Sequence, residues 1–329
     1  MSKRIRAGLI GCGGISRQHI GALMQMDNAE IVAVCDIKPD RLAAAAAQTG
    51  AEPMEDWTKL VARDDIDIVH VLTPHYLHAP MAIAALKAGK HVLTEKPMAS
   101  TIEDAEEMIR AADEAKGTLN VIFQNRYIPS TAALRRIIDS GEPGKLLCAR
   151  ASVCWHRTAP YYTESGWRGA WATEGGGCLI NQSIHTLDLL SYLGGPIRRV
   201  RGHVSTDLLN GVIEVEDNCH AVFEYENGAT GVIHATTNYG VDSPILLEMV
   251  FENGTYQLLA DKLFKIEDGI PTLLTRGDDA KELGVKSYWG AGHILEITRL
   301  YDCLQKGEKF EIDGRSAFKL YDTYGFPIE

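Results

Sequence analysis

The feature that most constrains this chain is a glycine-rich turn set between a buried strand and a helix. Ile5 to Ile10 is a short apolar run, as a strand buried on both faces should be. Gly11-Cys12-Gly13-Gly14-Ile15-Ser16 follows, and Ile15, His19, Ile20 and Leu23 continue with helical spacing. Gly11 permits the tight turn. Gly13 lets the backbone approach a pyrophosphate, which then rests on the helix N-terminus and its dipole. Ser16 stands where such a turn usually has its last glycine, and its small side chain keeps helix and strand close. Ala29 to Cys35 reads as a second strand ending at Asp36, the acid that hydrogen-bonds the adenosine ribose. Strand, turn, helix, strand and acid in that order predict a dinucleotide-binding Rossmann domain with a parallel sheet. The Asp36 carboxylate repels a 2′-phosphate, so NAD is preferred over NADP, with Lys38 partly offsetting the repulsion.

The alternation continues. Pro39 to Thr49 is an alanine-rich helix, Asp67 to Thr73 a buried strand ending at Pro74, and His78 to Ala88 a helix stopped by Gly89. His91 to Thr94 is a strand running into Glu95-Lys96-Pro97. Ser100-Thr101 starts a helix that reaches Lys116, and Thr118 to Phe123 closes the sheet. Ligands bind beyond the carboxyl ends of parallel strands. That rule nominates Gly11, Gly13, Gly14, Ile15, Asp36, Thr73, Pro74, His75, His78, Glu95, Lys96 and Gln124 as cofactor contacts.

From about residue 125 the pattern changes, which divides the chain into a Rossmann domain over 1–124 and a second domain over 125–329. Runs at Arg199–Asp207, Asn218–Glu226, Thr230–Tyr239, Ile245–Glu252 and Thr255–Ala260 read as strands, with Asn227-Gly228 and Asn253-Gly254 as hairpin turns. Together with helices, they predict an α+β domain with a large, open, mainly antiparallel sheet. The sheet face opposite the helices is expected to pack against another subunit, giving a homodimer or homotetramer. Gly175-Gly176-Gly177 leads into an apolar segment carrying Asn181, His185 and Asp188 at helical spacing. This reads as a flexible approach to a helix with a polar stripe, suited to an active-site wall. Tyr288 to His293 is either a flap over substrate or a plain loop-to-helix junction.

A net charge of −11 argues against nucleic acid or an anionic membrane as partner. Seven scattered cysteines without a C-x-x-C pair point to a reducing cytosol, with neither disulfides nor a metal site. Ser2-Lys3-Arg4 leads directly into a strand, so no signal peptide is expected, and no apolar run reaches the roughly 20 residues of a spanning helix.

The stretches Gly11 to Ile15, Asp36, Thr73 to His78, Glu95-Lys96-Pro97 and Gly175 to Asp188 together resemble the glucose-fructose oxidoreductase, inositol dehydrogenase and MocA-like (Gfo/Idh/MocA) family over essentially the whole chain. The resemblance implies a Rossmann domain followed by an open-sheet α+β domain. It also implies oxidation or reduction of sugars, cyclitols and their derivatives with NAD(P). By position, Lys96 matches the catalytic lysine of that family and His185 its catalytic histidine. Where the family usually has aspartate, this chain has Asn181, whose amide takes no proton at neutral pH and can only orient or hydrogen-bond. Asn181-Gln182 and Trp167-Arg168-Gly169 resemble a branch containing nucleotide-sugar 3-dehydrogenases, such as those acting on UDP-linked N-acetylglucosaminuronate. In that branch Trp167 and Arg168 would lie near the nicotinamide. Lys96, Arg126, Tyr162, Arg168, Asn181 and His185 are the expected substrate contacts, with Tyr161, His156 and Arg157 beside them.

The chemistry needs a proton acceptor on the alcohol oxygen. A histidine serves at neutral pH, so His185 is the expected base. Lys96 is expected to hydrogen-bond the reacting oxygen and stabilise its developing charge, and Asp188 could fix the His185 ring. A carbohydrate-type small molecule is the expected partner. Two alternatives stay open on sequence: a glycosidase, epimerase or lyase that recycles NAD within one turnover, and a sensor that keeps the fold without the chemistry.

Overall fold

Six short strands of the first half form one all-parallel sheet: β1 (Ile5–Ile10), β2 (Ala29–Cys35), β3 (Glu52–Met54), β4 (Ile68–Val71), β5 (His91–Thr94) and β6 (Leu119–Val121). The computed structural model describes residues 4–276 and 291–317. Strand order is β3-β2-β1-β4-β5-β6, so the chain reverses direction across the sheet at β1, where the glycine turn sits. The apolar runs are continuous because both faces are covered: Leu9, Val34, Ile68, Val69, Val71, Val92 and Leu93 are all fully buried. The helices between strands are α1 (Ser16–Leu23), α2 (Pro39–Thr49), α3 (Trp57–Val61), α4 (His78–Lys87) and α5 (Ile102–Glu114). Asp56 and Thr101 cap α3 and α5 by accepting the N–H of Thr58 and Asp104. Strand β3 escaped the sequence reading. It is three residues long and carries Pro53, which an edge position tolerates.

The described residues divide into two units, one of residues 4–122 with 293–317 and one of residues 123–276 with 291–292. The last helix therefore belongs with the first unit, whereas the sequence reading gave everything after 124 to the second domain. The cause is buried polar and backbone pairing. The Tyr301 hydroxyl meets His70 of β4 at 2.9 Å, His293 meets Glu95 after β5, and Asp313 forms a bridge with Asn120 of β6.

The second unit is built on an eight-stranded sheet: β7 (Leu146–Cys154), β8 (Ile197–Ser205), β9 (Asn218–Tyr225), β10 (Thr230–Thr236), β11 (Leu246–Phe251), β12 (Gly254–Leu259), β13 (Lys262–Glu267) and β14 (Ile270–Arg276). Its order is β14-β13-β12-β11-β7-β10-β9-β8. The β7–β10 pair is parallel and the other pairs are antiparallel. Strands β13 and β14 were not recognised in the sequence. They are joined by Asp268-Gly269, both at positive φ (51° and 77°), the two-residue turn whose twist matches the strands it connects. Helices α6 (Pro129–Asp139) and α9 (Ile184–Gly194) supply Leu134, Leu187, Leu190 and Leu193 to a core with Val153, Phe223, Ile233 and Met249 of the sheet. Two short helices, α7 (Ala159–Thr163) and α8 (Trp171–Glu174), precede α9.

Candidate active site

In the first unit the glycine turn is as tight as its sequence requires. Gly11 has φ +100°, and a Cβ there would lie 2.6 Å from the Leu72 carbonyl oxygen. The opposite holds at the crest of the turn. A Cβ on Gly13 would meet only an Arg41 nitrogen at 3.8 Å, and one on Gly14 would meet nothing within 4 Å. Ile15 leads into α1 at Ser16, whose hydroxyl donates to the Gly13 carbonyl at 2.7 Å. Serine here does more than stay small: it braces the turn. Asp36 accepts the Cys12 N–H at 2.7 Å through one oxygen and the Lys38 N–H at 2.8 Å through the other, tying the acid to the turn. Open space over Gly13 and Gly14, a helix N-terminus and a fixed carboxylate at the end of β2 fit a dinucleotide.

The loops after β4 and β5 are clamped together. His78 is fully buried, with Nδ1 2.7 Å from the Pro97 carbonyl oxygen and Nε2 2.9 Å from that of Thr73. Both ring nitrogens are thus engaged by backbone. His78 holds Thr73-Pro74 against Lys96-Pro97, so both nitrogens of this expected cofactor contact are taken up by backbone. His75 is buried beside it, the ring centroids 5.8 Å apart. The Lys96–Pro97 peptide is cis.

Glu95, another expected cofactor contact, has its carboxylate engaged within the protein. It is buried, and its Oε1 lies 3.0 Å from His19 Nε2 and 3.3 Å from His293 Nε2, while Oε2 accepts the Lys96 N–H at 3.3 Å. These contacts hold its carboxyl well below the usual range against the cost of burial. An ionised Glu95 fixes the protons of the chain behind it. His19 Nε2 must carry a hydrogen to donate, so its Nδ1 accepts from His70 Nδ1 at 2.9 Å, and His70 Nε2 accepts from the Tyr301 hydroxyl. Burial lowers the pKa of both rings, in keeping with neutral imidazoles. Among the described residues His19, Glu95 and His293 are also one set of metal-capable side chains, with ligand atoms within 4.8 Å of one another. They are far apart in the chain, so sequence spacing could not reveal them.

The second unit carries His185. Gln124, buried, directs Nε2 at His185 Nε2 from 3.0 Å. An amide nitrogen only donates, so this histidine nitrogen holds its lone pair, the form a base requires. Gln124 therefore acts on His185 from within the same unit, where sequence had made it a cofactor contact of the first domain. Asp188 does not fix the His185 ring. Its buried carboxylate is gripped by Arg126, with Nε donating to Oδ2 at 2.8 Å and Nη2 paired with Oδ1. The Arg126 guanidinium also lies over the Tyr192 and Phe123 rings. Arg126 is thus committed to a structural ion pair before any substrate arrives.

The three glycines are there for fit, not flexibility. Gly175 ends α8 at φ +81°. A Cβ on Gly177 would lie 1.8 Å from the Glu216 carbonyl oxygen, so only hydrogen can occupy that position. Cys178–Ser183 then winds as a π-helical turn before α9 begins at Ile184. Glu216, buried, anchors its start by accepting the N–H of Gly177 at 2.8 Å and of Leu179 at 3.0 Å. The wider turn breaks the regular spacing behind the expected polar stripe, and such turns recur at functional sites. Asn181 points its amide nitrogen at Glu174, a buried carboxylate that sequence reasoning missed; Asp188 turns to Arg126.

Tyr162 is core rather than site wall. It is buried with Leu209, Ile213 and Val215, and its hydroxyl reaches Thr237 at 3.4 Å. Its neighbour Tyr161 takes the surface role, receiving Gln182 Nε2 on its hydroxyl and the Arg168 guanidinium over its ring at 4.5 Å. Trp167 stacks on the same guanidinium at 4.6 Å. Arg168 Nε is buried and has no hydrogen-bond partner. His156 and Arg157 are bound to Tyr239 and Asp242. Of the expected flap, Tyr288 to Gly290 lie outside the described residues.

The NAD-binding Rossmann-fold profile of the GFO/IDH/MocA oxidoreductase family matches residues 5–123, and the family's C-terminal domain profile matches 131–257. Inositol 2-dehydrogenase 3 of Saccharopolyspora erythraea is 32% identical over 77% of this chain and 73% of its own. D-apiose dehydrogenase of Paraburkholderia graminis is 27% identical, spanning 96% and 85%. Among solved structures, the WlbA dehydrogenase of Bordetella pertussis, in complex with NADH and UDP-GlcNAcA, is 32% identical, with a TM-score of 0.85 covering 97% of this chain and 93% of that one. The dinucleotide cradle, the two-unit architecture and these matches agree: this chain belongs to the GFO/IDH/MocA family of NAD-binding oxidoreductases.

Proposed function

We propose that this protein is an NAD-dependent dehydrogenase of a secondary hydroxyl on a carbohydrate, with a nucleotide-linked sugar as the preferred class. NAD, when bound, accepts a hydride from the carbinol carbon. Gly11, Gly13, Gly14 and Ile15 would hold its pyrophosphate and Asp36 its adenosine ribose. His185 takes the hydroxyl proton, Lys96 hydrogen-bonds the reacting oxygen, and Asn181 orients the substrate.

The observation that carries this reading is the Gln124–His185 contact: Gln124 Nε2 faces His185 Nε2 at 3.0 Å, so that nitrogen is the unprotonated acceptor, and the substrate hydroxyl takes the place of the amide when His185 receives its proton. The nucleotide-sugar preference is supported by Arg168, whose guanidinium is held over the Tyr161 and Trp167 rings as a planar cation suited to a phosphate or carboxylate oxygen. The UDP-linked sugar acid in the WlbA complex is a ligand of that class. Among the described residues no helix is long and apolar enough to cross a membrane. We assign it to the reducing cytoplasm from its seven scattered cysteines without a C-x-x-C pair. The outward face of the eight-stranded sheet leaves Val222 and Val232 about half exposed, which supports a homodimer or homotetramer formed through that face.

The test is a substrate panel of UDP-N-acetylglucosaminuronate, myo-inositol, D-apiose and levoglucosan with NAD or NADP, followed by absorbance of the reduced nicotinamide. Turnover of the UDP-sugar with NAD is expected. Failure of every sugar and cyclitol would remove the assignment, and product without net reduced cofactor would show NAD recycling instead.

A further inference from the structure

We propose that Glu174 is a positioning residue for this reaction: its carboxylate fixes which way the Asn181 amide faces, supplying one side chain removed the titratable group that Asn181 lacks. The inference rests on the reading of Asn181 and His185 as site residues.

Glu174 is the last residue of α8 and is fully buried. The left-handed Gly175 turns the chain immediately after it, and the close fit of Gly177 against Glu216 fixes the π-helical turn that carries Asn181. Glu174 Oε2 accepts the Gly169 N–H at 2.5 Å, and Oε1 accepts Asn181 Nδ2. An ionised carboxylate only accepts, so Asn181 must turn its amino group toward Glu174 and its carbonyl oxygen the other way. A protonated Glu174 can donate to that carbonyl oxygen instead, and the amide then turns over. The charge on Glu174 thereby decides whether Asn181 presents an acceptor or a donor on its far side.

The groups facing Glu174 set that charge. Arg168 favours the ionised form, as do the bonds from Gly169 and Asn181. Glu216 opposes it, Tyr162 lies close by on α7, and burial is the largest influence. Together they push the Glu174 carboxyl up to about 7, so both forms are present near neutrality.

Glu174→Gln keeps shape but reverses the pattern. Its amide oxygen can accept Gly169 N–H, which leaves an NH2 for Asn181 and forces the flipped amide. Two readouts test the proposal. In the protein without substrate, the Asn181 side-chain amide signal, assigned by its loss in Asn181→Asp, should titrate with a midpoint near that of Glu174 and should stop doing so in Glu174→Gln. With UDP-N-acetylglucosaminuronate and NAD, Glu174→Gln should lose about 10-fold to 100-fold in kcat. Its KM for NAD should be unchanged. Asn181→Asp added to Glu174→Gln should restore most of the rate. An amide signal that does not titrate, or titrates identically in Glu174→Gln, overturns the proposal. So does a double variant no faster than Glu174→Gln at equal thermal stability. If the wild type turns over no sugar, the functional reading fails, and the amide titration still decides the role of Glu174.

Discussion

Removing Asp188 should destabilise the second unit severely, and the structure says by how much. In Asp188→Ala the Arg126 guanidinium keeps its charge but loses both bonds to a carboxylate only 1% exposed. Stranding one partner of a buried pair costs about 3–5 kcal/mol. Two features place Arg126 at the lower end: its side chain is 14% exposed, and it retains the Tyr192 and Phe123 rings at 4.8 and 5.5 Å. The expected loss is therefore about 3 kcal/mol. With a urea dependence of about 2 kcal/mol per molar, the unfolding midpoint falls by about 1.5 M. Tryptophan fluorescence is a suitable probe, because Trp155, Trp167 and Trp171 lie in the second unit, against Trp57 in the first. The double variant Arg126→Met/Asp188→Leu should recover most of the loss, since well-packed apolar replacements for a buried pair are often neutral. Single variants each costing under about 1 kcal/mol, with no coupling between them, would refute the structural role of the pair.

Three further outcomes are expected. The usual carboxyl value near 4.5 rises to about 7 at Glu174, so between those values the folded state binds more protons than the unfolded. Stability should fall as pH rises through that window, by up to about 3 kcal/mol, and Glu174→Gln should gain on the wild type by that amount; parallel stability curves for the two would contradict it. Asp36→Ala should weaken NAD, by loosening the Cys12 N–H, and should raise the NADP-to-NAD ratio of kcat/KM about 10-fold or more; an unchanged ratio would remove Asp36 from cofactor choice. Gly177→Ala drives a Cβ into the Glu216 carbonyl and should cost about 3 kcal/mol or more, whereas Gly14→Ala enters open space and should weaken NAD binding while leaving the melting temperature nearly unchanged.

The Rossmann half was legible because its signals are local. Each buried strand is a contiguous apolar run, and the turn, helix and Asp36 follow in fixed order. What escaped was either short or distant. Strand β3 is too brief for periodicity, β13 carries Lys262 and Glu267 outward, which dilutes its pattern, and β14 has an early proline at Pro271. The capture of the last helix by the first unit depends on Tyr301 meeting His70, a pairing without sequence proximity. In the site, Lys96, Asn181 and His185 stood out by motif, but the partners of their neighbours did not. Asp188 at helical spacing from His185 suggested a bond between them, yet the longer reach of Arg126 wins that carboxylate. Glu174 and Glu216 carried no motif, because their meaning lies in the π-helical turn they hold, and a glycine triplet reads as flexibility until its missing Cβ atoms are placed.

The central claim is hydride transfer to NAD assisted by His185 and Lys96. It is tested most directly by the yield of reduced cofactor per UDP-N-acetylglucosaminuronate consumed, in the wild type and in His185→Ala and Lys96→Ala. One equivalent is predicted for the wild type, with kcat reduced at least 100-fold in both variants while NAD binding persists. Full turnover by either variant, or consumption without reduced cofactor, would contradict the account.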